Sequence, residues 1–307
     1  MLSSKLKIIM RKFIAAILTC LLIATSAWAQ TNASFQRTED VIYGHKYGMA
    51  LTMDVFQPKK PNGVGIIYVV SGGWFSSRGG ISAAAYQPFL DRGYTVFAVL
   101  HGSQPKYIIP EIIQDMHRAV RFIRHNASAY GIDPNRLGVV GGSAGGHLSL
   151  ILATRAGSEE MKKSKDPIDQ ESSAVQCAAA FFPPTDFLNY GGPGITGDGV
   201  GTLKDFKSAF GPLADTDEGR QKLGHEISPI YFITSNLPPV LIIHGDADTL
   251  VPIQQSETFV QRANEVGVTA KLIVKKGAKH GWPDLVSSDM PKCADWFDEH
   301  LREPVGK

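Results

Sequence analysis

Three residue types that together support nucleophilic catalysis occur in a fixed order along the chain. Ser143 stands in the stretch Gly141-Gly142-Ser143-Ala144-Gly145, which fits the pattern G-x-S-x-G. Two aspartates, Asp246 and Asp248, follow the apolar run "VLIIHG", and His280 follows "KLIVK". Because a serine hydroxyl is a weak nucleophile near neutral pH, it needs a histidine to accept its proton and a carboxylate to orient that histidine. The order Ser, Asp, His is the one associated with this serine pattern.

The residues around Ser143 indicate a sharp turn from a strand into a helix. The apolar run "LGVV" precedes the glycines, and "HLSLILAT" follows them with helical spacing. Such a turn lifts the serine Oγ clear of the sheet and places the N–H of Ala144 at a helix N-terminus, where negative charge is stabilised. In a chain with 31 glycines the bare pattern is weak evidence, and a glycine-rich turn with an incidental serine is the alternative. The strand and helix on either side favour the catalytic interpretation.

Composition restricts the classes of protein that the chain can belong to. It has 307 residues, 43% of them hydrophobic, and a formal net charge of +2. That length can form one large hydrophobic core, so we expect a single domain. No run of basic residues indicates nucleic-acid binding. The metal-binding patterns H-E-x-x-H and H-x-x-E-H and the phosphate-binding pattern G-x-x-x-x-G-K are missing, so no metal or organic cofactor is expected.

The first 29 residues have the layout of a secretory signal peptide. An apolar run of about 17 residues ends in Ala27-Trp28-Ala29. Four basic residues precede it: Lys5, Lys7, Arg11 and Lys12. A membrane anchor is the alternative, but the run is at the short limit for spanning a bilayer and ends in small residues at cleavage spacing. We therefore expect residues 1–29 to be removed, leaving 30–307 as an exported periplasmic or extracellular domain without a stable membrane anchor.

Two cysteines, Cys177 and Cys293, remain after that removal. A disulfide is chemically allowed in an oxidising compartment, and spacing leaves pairing open. Both residues lie in apolar patterns, which favours buried free thiols.

Short β-branched runs alternate with longer helical patterns along the rest of the chain. Eight runs are candidate strands: 40–44, 50–56, 65–70, 95–100, 137–140, 176–182, 240–245 and 271–275. Several are apolar throughout, as in parallel strands that are buried on both faces. Residues 110–127 have helical periodicity, with an apolar face formed by Ile112, Ile113, Met116, Val120 and Ile123. The alternation predicts an α/β fold: an eight-stranded, mostly parallel sheet with helices on both faces.

The chain resembles the α/β-hydrolases, in particular the carbohydrate-esterase-like and acetyl-esterase branch related to hormone-sensitive-lipase-type esterases. The resemblance extends over nearly all of Val41 to Leu301. It is carried by "AVRFIRHNASAYGIDPNRLGVVGGSAGGHL", "PPVLIIHGDADTLVP" and "KKGAKHGW". It implies a catalytic triad of Ser143, Asp248 and His280, because the family's acid stands three residues before a Val-Pro pair. Asp246 is then a local hydrogen-bonding residue.

The same resemblance implies an oxyanion hole. Where relatives usually carry His-Gly-Gly-Gly, this chain reads Ser71-Gly72-Gly73-Trp74. The backbone N–H groups of Gly73 and Trp74 would join that of Ala144 in binding the substrate's carbonyl oxygen. These donors are main-chain atoms, so Ser71 does not remove them, but the anchoring that the histidine provides must be replaced. A plain tight turn is the alternative for "SGGW".

Residues 188–230 form a long connection between two predicted strands and are a candidate lid or side wall, with a plain surface connection as the alternative. Three aromatic residues are candidates for the substrate pocket: Phe75, Tyr107 and Trp282. They could instead belong to the core. Three other histidines, His101, His147 and His244, are expected in the core or in support of the site.

The combined expectation is a secreted serine ester hydrolase that acts through an acyl-enzyme. Export and the resemblance favour short-chain (acetyl-type) or feruloyl esters of carbohydrates or small alcohols as substrates. An exopeptidase-like serine hydrolase and a catalytically silent ligand-binding protein are the alternatives. The sequence contains no signal for a particular oligomeric state.

Overall fold

An eight-stranded sheet forms the centre of the structure, a computed structural model that describes residues 34–156 and 163–302. The strands lie in the order β1-β2-β4-β3-β5-β6-β7-β8. Their bounds are β1 Phe35–Lys46, β2 Met49–Pro58, β3 Gly63–Val69, β4 Thr95–Val99, β5 Ile132–Gly142, β6 Cys177–Phe181, β7 Val240–Gly245 and β8 Ala270–Lys275. Strand β2 is antiparallel to both β1 and β4, and all the other neighbours pair in parallel. The predicted eight-stranded, mostly parallel sheet is thus confirmed.

Two strands begin five residues earlier than predicted. Strand β1 starts at Phe35 instead of Asp40, and its first half is largely exposed on the edge of the sheet. Strand β5 starts at Ile132 instead of Leu137, through residues 133–136, which are a proline and three polar residues. Exposed strand residues need no apolar side chains, so the hydrophobic pattern does not mark them.

The central strands are buried on both faces, as their continuous apolar runs predict. In β4, Phe97 and Val99 belong to one hydrophobic cluster, whereas Val96 and Ala98 belong to another on the opposite face. This alternation follows from the two-residue period of a strand. Helices therefore have to cover both faces.

Helices pack on both sides of the sheet. Their bounds are α1 Ala83–Leu90, α2 Ile109–His125, α3 Ala144–Thr154, α4 Pro167–Gln170, α5 Lys207–Phe210, α6 Asp217–Ile227, α7 Gln254–Glu265 and α8 Met290–Leu301. Helix α2 matches the predicted helix at 110–127, and its five predicted apolar residues are all buried. Its first turn is capped by the Glu111 carboxylate, which accepts a hydrogen bond from the Ile108 N–H at 3.0 Å.

The remaining predictions concern the N-terminal segment, membrane spans and the cysteines. The predicted signal peptide at 1–29 lies outside the described residues. Between residues 34 and 156, and between 163 and 302, no helix is long and apolar enough to cross a membrane. Both Cys177 and Cys293 are free and buried, as their apolar surroundings predict.

Candidate active site

Ser143, His280 and Asp248 form a hydrogen-bonded line at the carboxyl edge of the sheet. The Ser143 Oγ lies 2.9 Å from His280 Nε2, and His280 Nδ1 lies 2.7 Å from Asp248 Oδ2. Because an ionised carboxylate only accepts, the Nδ1–H donates to Asp248, and Nε2 is left to accept from the serine hydroxyl. The Asp248 side chain is fully buried, whereas that of His280 is 23% exposed. His280, which would exchange protons with a substrate, is therefore more accessible than Asp248.

The local backbone at Ser143 explains why its hydroxyl projects from the sheet. Ser143 has a φ of 55° and a ψ of −122°, a strained conformation between β5 and α3. Its N–H donates to the Phe181 carbonyl at 2.9 Å, which holds the turn against the end of β6. A Cβ at Gly145 would lie 2.8 Å from the Val69 carbonyl oxygen, so only glycine fits where the turn packs against the end of β3.

Four groups hold the Asp248 carboxylate. Oδ1 accepts from the N–H groups of Leu250 and Val251 at 2.9 and 3.0 Å. Oδ2 faces His280 and, at 3.3 Å, the Nε2 of His244. Burial by itself would raise the pKa of Asp248, but hydrogen bonds from His244, His280 and the Val251 backbone hold that pKa well below its ordinary value. The residue is therefore a carboxylate across the neutral range.

His244 supports Asp248 from inside strand β7. Its Nδ1 lies 2.6 Å from the Ser256 Oγ, and its Nε2 lies 2.9 Å from the Val251 carbonyl oxygen. Nε2 faces two acceptors, so it carries the proton, and Nδ1 accepts from the serine hydroxyl. The side chain is completely buried. The other aspartate of the predicted pair, Asp246, accepts a hydrogen bond from the Gly277 N–H at 2.6 Å.

Aromatic side chains pack next to the His280 imidazole. The Phe182 ring lies 4.5 Å from the imidazole between centroids, and Trp282 packs on Phe182 at 5.6 Å. The Trp282 indole N–H donates to the buried Asp289 carboxylate at 2.7 Å, and two lysines, Lys275 and Lys292, also contact that carboxylate. Trp282, a predicted pocket residue, is therefore held in place next to the ring that contacts His280.

The predicted oxyanion loop packs directly against the serine turn. A Cβ at Gly145 would lie 3.4 Å from the Ser71 carbonyl oxygen. Gly73 and Trp74 both have left-handed backbone conformations, with φ of 55° and 59°. Within residues 34–156 and 163–302, the N–H groups of Gly73, Trp74 and Ala144 donate to no protein acceptor. Three backbone donors near the serine turn are thus free to bind an oxygen atom.

The loop is anchored without a histidine at position 71. The Ser71 Oγ is buried and finds no hydrogen-bond partner among the described residues. Instead, the Trp74 indole N–H donates to His147 Nδ1 at 3.1 Å, on helix α3. Gln104 donates from its side chain to the Gly73 carbonyl at 2.9 Å and from its backbone to the Trp74 carbonyl at 3.2 Å.

The other two predicted pocket residues differ in their surroundings. Phe75 is 55% exposed, and its backbone pairs with that of Gly72 next to the oxyanion loop. Tyr107 is buried, stacks on Tyr47 at 6.2 Å and lies beneath the Lys46 ammonium. Its ring and hydroxyl contact residues at the β1–β2 turn and Lys106, and within the described part of the chain it makes no hydrogen bond or ring contact with a triad side chain.

Sequence reasoning did not identify two contacts of the site. Phe182 follows β6 in an apolar run and carries no chemical signal, and Phe206 lies in the 188–230 segment. A Cβ at Gly73 would overlap the Phe206 ring.

The described ranges contain no group of three or more His, Cys, Asp or Glu side chains that could hold a metal ion.

Comparison with known proteins gives consistent matches. The profile of the BD-FAE family matches residues 53–263. Isoprenylcysteine alpha-carbonyl methylesterase ICME of Arabidopsis thaliana is 24% identical over 261 residues, 80% of this chain and 57% of that protein. Probable carboxylic ester hydrolase LipM of Mycobacterium tuberculosis is 26% identical over 239 residues, 74% of this chain and 52% of that protein. The chain thus spans about half the length of these curated relatives.

A solved structure matches the fold over most of its length. A truncated form of carbohydrate esterase from gut microbiota superposes with a TM-score of 0.74 and 27% identity. The match covers 88% of this chain and 98% of that one. The predicted α/β-hydrolase fold is thereby confirmed.

Proposed function

The chain belongs to the BD-FAE family of α/β-hydrolases, and we propose that it is a serine carboxylic-ester hydrolase. The observation that carries the proposal is the position of the His280 imidazole, between the Ser143 Oγ at 2.9 Å and the Asp248 carboxylate at 2.7 Å. The esterase names of the relatives point to the same reaction class. Ser143 is the nucleophile, His280 the general base and acid, and Asp248 the residue that orients the imidazole.

Acylation begins when the Ser143 Oγ attacks the ester carbonyl carbon and transfers its proton to His280 Nε2. The carbonyl oxygen becomes an oxyanion, which the N–H groups of Gly73, Trp74 and Ala144 bind. Collapse of this intermediate breaks the bond to the alcohol oxygen, and the imidazolium gives its proton to the leaving alcohol. Ser143 is left as an acyl ester.

Deacylation repeats these steps with water in place of the alcohol. His280 removes a proton from the water, whose oxygen attacks the acyl carbonyl carbon. The second oxyanion collapses, the carboxylic acid leaves, and the proton on Nε2 returns to the Ser143 Oγ. Asp248 remains ionised throughout, so it stabilises the imidazolium at both stages.

The proposed substrates are short-chain (acetyl-type) or feruloyl esters of carbohydrates or small alcohols. Support comes from the carbohydrate esterase among the similar structures and from the exposed Phe75 ring beside the oxyanion loop, which offers an apolar surface to a sugar face or an aromatic acid. Export to the periplasm or the medium is part of the proposal. It is supported by the basic residues and apolar run within residues 1–29.

Ester hydrolysis by the purified protein and by its Ser143→Ala variant tests the proposal. Substrates are an aryl acetate, an aryl butyrate, acetylated xylan and a feruloyl ester, with an aminoacyl anilide as the peptidase arm. We expect the wild type to release acid from at least one ester, and the variant to lose roughly four to six orders of magnitude in kcat. Ser128→Ala, at an exposed serine in the short 3₁₀ helix Ala127–Tyr130, is the matched control and should retain full activity.

A fluorophosphonate probe separates the alternatives. It should label Ser143, which peptide mass mapping identifies. A folded wild-type protein that neither hydrolyses an ester nor accepts the probe would be a silent binding protein. Cleavage of the anilide in preference to all esters would favour the exopeptidase interpretation.

A further inference from the structure

A buried hydrogen-bonded chain connects the oxyanion loop to the 188–230 segment through the helix that follows Ser143. The Trp74 indole N–H donates to His147 Nδ1 at 3.1 Å, and His147 Nε2 lies 2.7 Å from the Ile227 carbonyl oxygen. Because Nδ1 accepts from the indole, the proton of the neutral imidazole is on Nε2 and is donated to Ile227. His147 therefore bridges the loop and the last residue of α6.

Both side chains of this bridge are buried, so each depends on the other for its hydrogen bond. His147 is completely buried, and Trp74 is 2% exposed. Loss of either partner would leave a polar atom in the interior without a hydrogen bond, which costs more than the bond contributes when it is intact. Burial also lowers the pKa of His147 to about 4, so the ring is neutral and keeps its acceptor at the pH of ordinary assays.

The bridge restrains Trp74, which has an unfavourable backbone conformation. Trp74 has a φ of 59°, a left-handed conformation that is unfavourable for a bulky side chain. Three rings of the segment from Phe187 onward pack around the indole, at centroid distances of 5.2 to 6.2 Å: Phe187, Phe206 and Phe210. The packing confines the indole, and the hydrogen bond fixes the direction in which its N–H points.

We propose that His147 is a positioning residue of the oxyanion hole, which aims the Trp74 backbone N–H by tying the Trp74 indole to the end of helix α6. This inference rests on the proposed function. It explains how a loop with Ser71 in place of histidine keeps its shape. It also means that the 188–230 segment is structurally coupled to the oxyanion hole.

The test compares substitutions that remove or keep the two halves of the bridge. His147→Leu removes both hydrogen bonds. His147→Asn keeps an amide oxygen close to the position of Nδ1, so the indole N–H retains an acceptor. Trp74→Phe keeps an aromatic ring but removes the donor. In each case kcat and KM are measured for the ester that the wild type hydrolyses best, and active sites are counted by stoichiometric fluorophosphonate labelling.

Loss of one oxyanion donor costs about 10²- to 10³-fold in kcat, and a misdirected donor should cost part of that. We therefore expect kcat per labelled site to fall roughly 10- to 100-fold in His147→Leu and in Trp74→Phe, with KM within about threefold of wild type. His147→Asn should recover most of the loss. The double variant His147→Leu/Trp74→Phe should be no worse than His147→Leu, because that substitution already removes the hydrogen bond to the indole.

Other outcomes overturn the inference. If His147→Leu reduces only the number of labelled sites, with wild-type kcat at each, His147 has a structural role alone. If His147→Leu does not fold, His147→Asn and Trp74→Phe decide: equal loss in both, without rescue by the amide, contradicts the inference. Failure of the proposed function is a separate result, since it would be observed as inactivity of the wild type itself.

Discussion

Asp248 shows at the scale of one residue how the site keeps a buried charge. The side chain is fully excluded from water, and two backbone N–H groups and two imidazole N–H groups surround it. Only one of these four donors belongs to the proposed catalytic residues. A carboxylate that accepts several hydrogen bonds stays ionised and fixed in direction, which is what orientation of His280 requires.

Replacement of His244 tests the donor on the far side of Asp248. His244→Phe removes the N–H that contacts Oδ2, so the pKa of Asp248 should rise and its carboxylate should lose one of its restraints. We expect kcat to fall roughly 10- to 100-fold, in line with one lost hydrogen bond to a charged group. His244→Gln places an amide N–H close to the position of Nε2 and should restore most of the rate. Steady-state kinetics check this, and equal rates for the two variants would contradict it.

The sequence predicts the residues of the site better than the contacts between them. Ser143, Asp248 and His280 each follow a parallel strand, and the carboxyl ends of such strands meet at one edge of the sheet, so their proximity is expected from order alone. Spacing alone left Asp246 and Asp248 open, whereas the structure brings Asp248 within reach of His280. The stacking of Trp282 on Phe182 depends on side-chain packing, which periodicity does not describe.

At the scale of elements, the oxyanion loop and the 188–230 segment form one packed unit. The Phe206 ring occupies the space where a side chain at Gly73 would lie, and Phe210 packs on the Trp74 indole at 5.2 Å. Sequence patterns predicted the strands and α2 because their apolar faces are long and regular. Helices α5 and α6 lack such a face. Phe210 of α5 packs on the Trp74 indole, and Ile227 at the end of α6 accepts a hydrogen bond from His147, so only the fold reveals their position.

Substitution of Gly73 tests this packing. Gly73→Ala introduces a Cβ that overlaps the Phe206 ring, so we expect a loss of at least 10-fold in kcat and lower stability in urea unfolding. Adding Phe206→Ala removes the overlap and should restore part of the rate. Recovery will be incomplete, because the φ of 55° at position 73 still disfavours alanine by about 1 kcal/mol.

A neighbouring glycine provides the control for that substitution. A Cβ at Gly72 would meet no atom within 4 Å, so Gly72→Ala should leave kcat and stability close to wild type. If the double variant Gly73→Ala/Phe206→Ala is no more active than Gly73→Ala, the overlap is not the cause of the loss.

For the whole molecule, buried titratable side chains link stability to pH. Burial lowers the pKa of His101 to about 4, of His117 to about 3 and of His147 to about 4. The unfolded chain binds protons at these histidines near their ordinary pKa of about 6.5, whereas the folded chain does not. Their contribution to stability is therefore complete above about pH 6.5 and is lost as the pH falls toward their folded pKa values.

Two carboxyl groups act in the opposite direction, because burial raises the pKa of Asp115 as well as that of Asp198. Burial raises the pKa of Asp198 to about 6, and its two oxygens have no hydrogen-bond partner within the described ranges. Between about pH 6 and pH 4 the folded chain takes up a proton here that the unfolded chain does not, which stabilises the fold as the pH falls. Three histidines outweigh these two carboxyl groups, so the net effect of acid is destabilising.

We therefore expect the free energy of unfolding to fall steadily between pH 6.5 and pH 4.5. Variants that change the slope of this fall identify the residues responsible. Each buried histidine adds up to about 1.4 kcal/mol per pH unit. His117→Asn keeps an amide near the Ser173 Oγ, which lies 2.9 Å from Nδ1, but cannot titrate, so its slope should be smaller by about that amount. Urea unfolding at half-unit pH steps measures the slope. His45→Asn, at an exposed histidine, should leave it unchanged, and a wild-type slope in His117→Asn would show that His117 does not contribute.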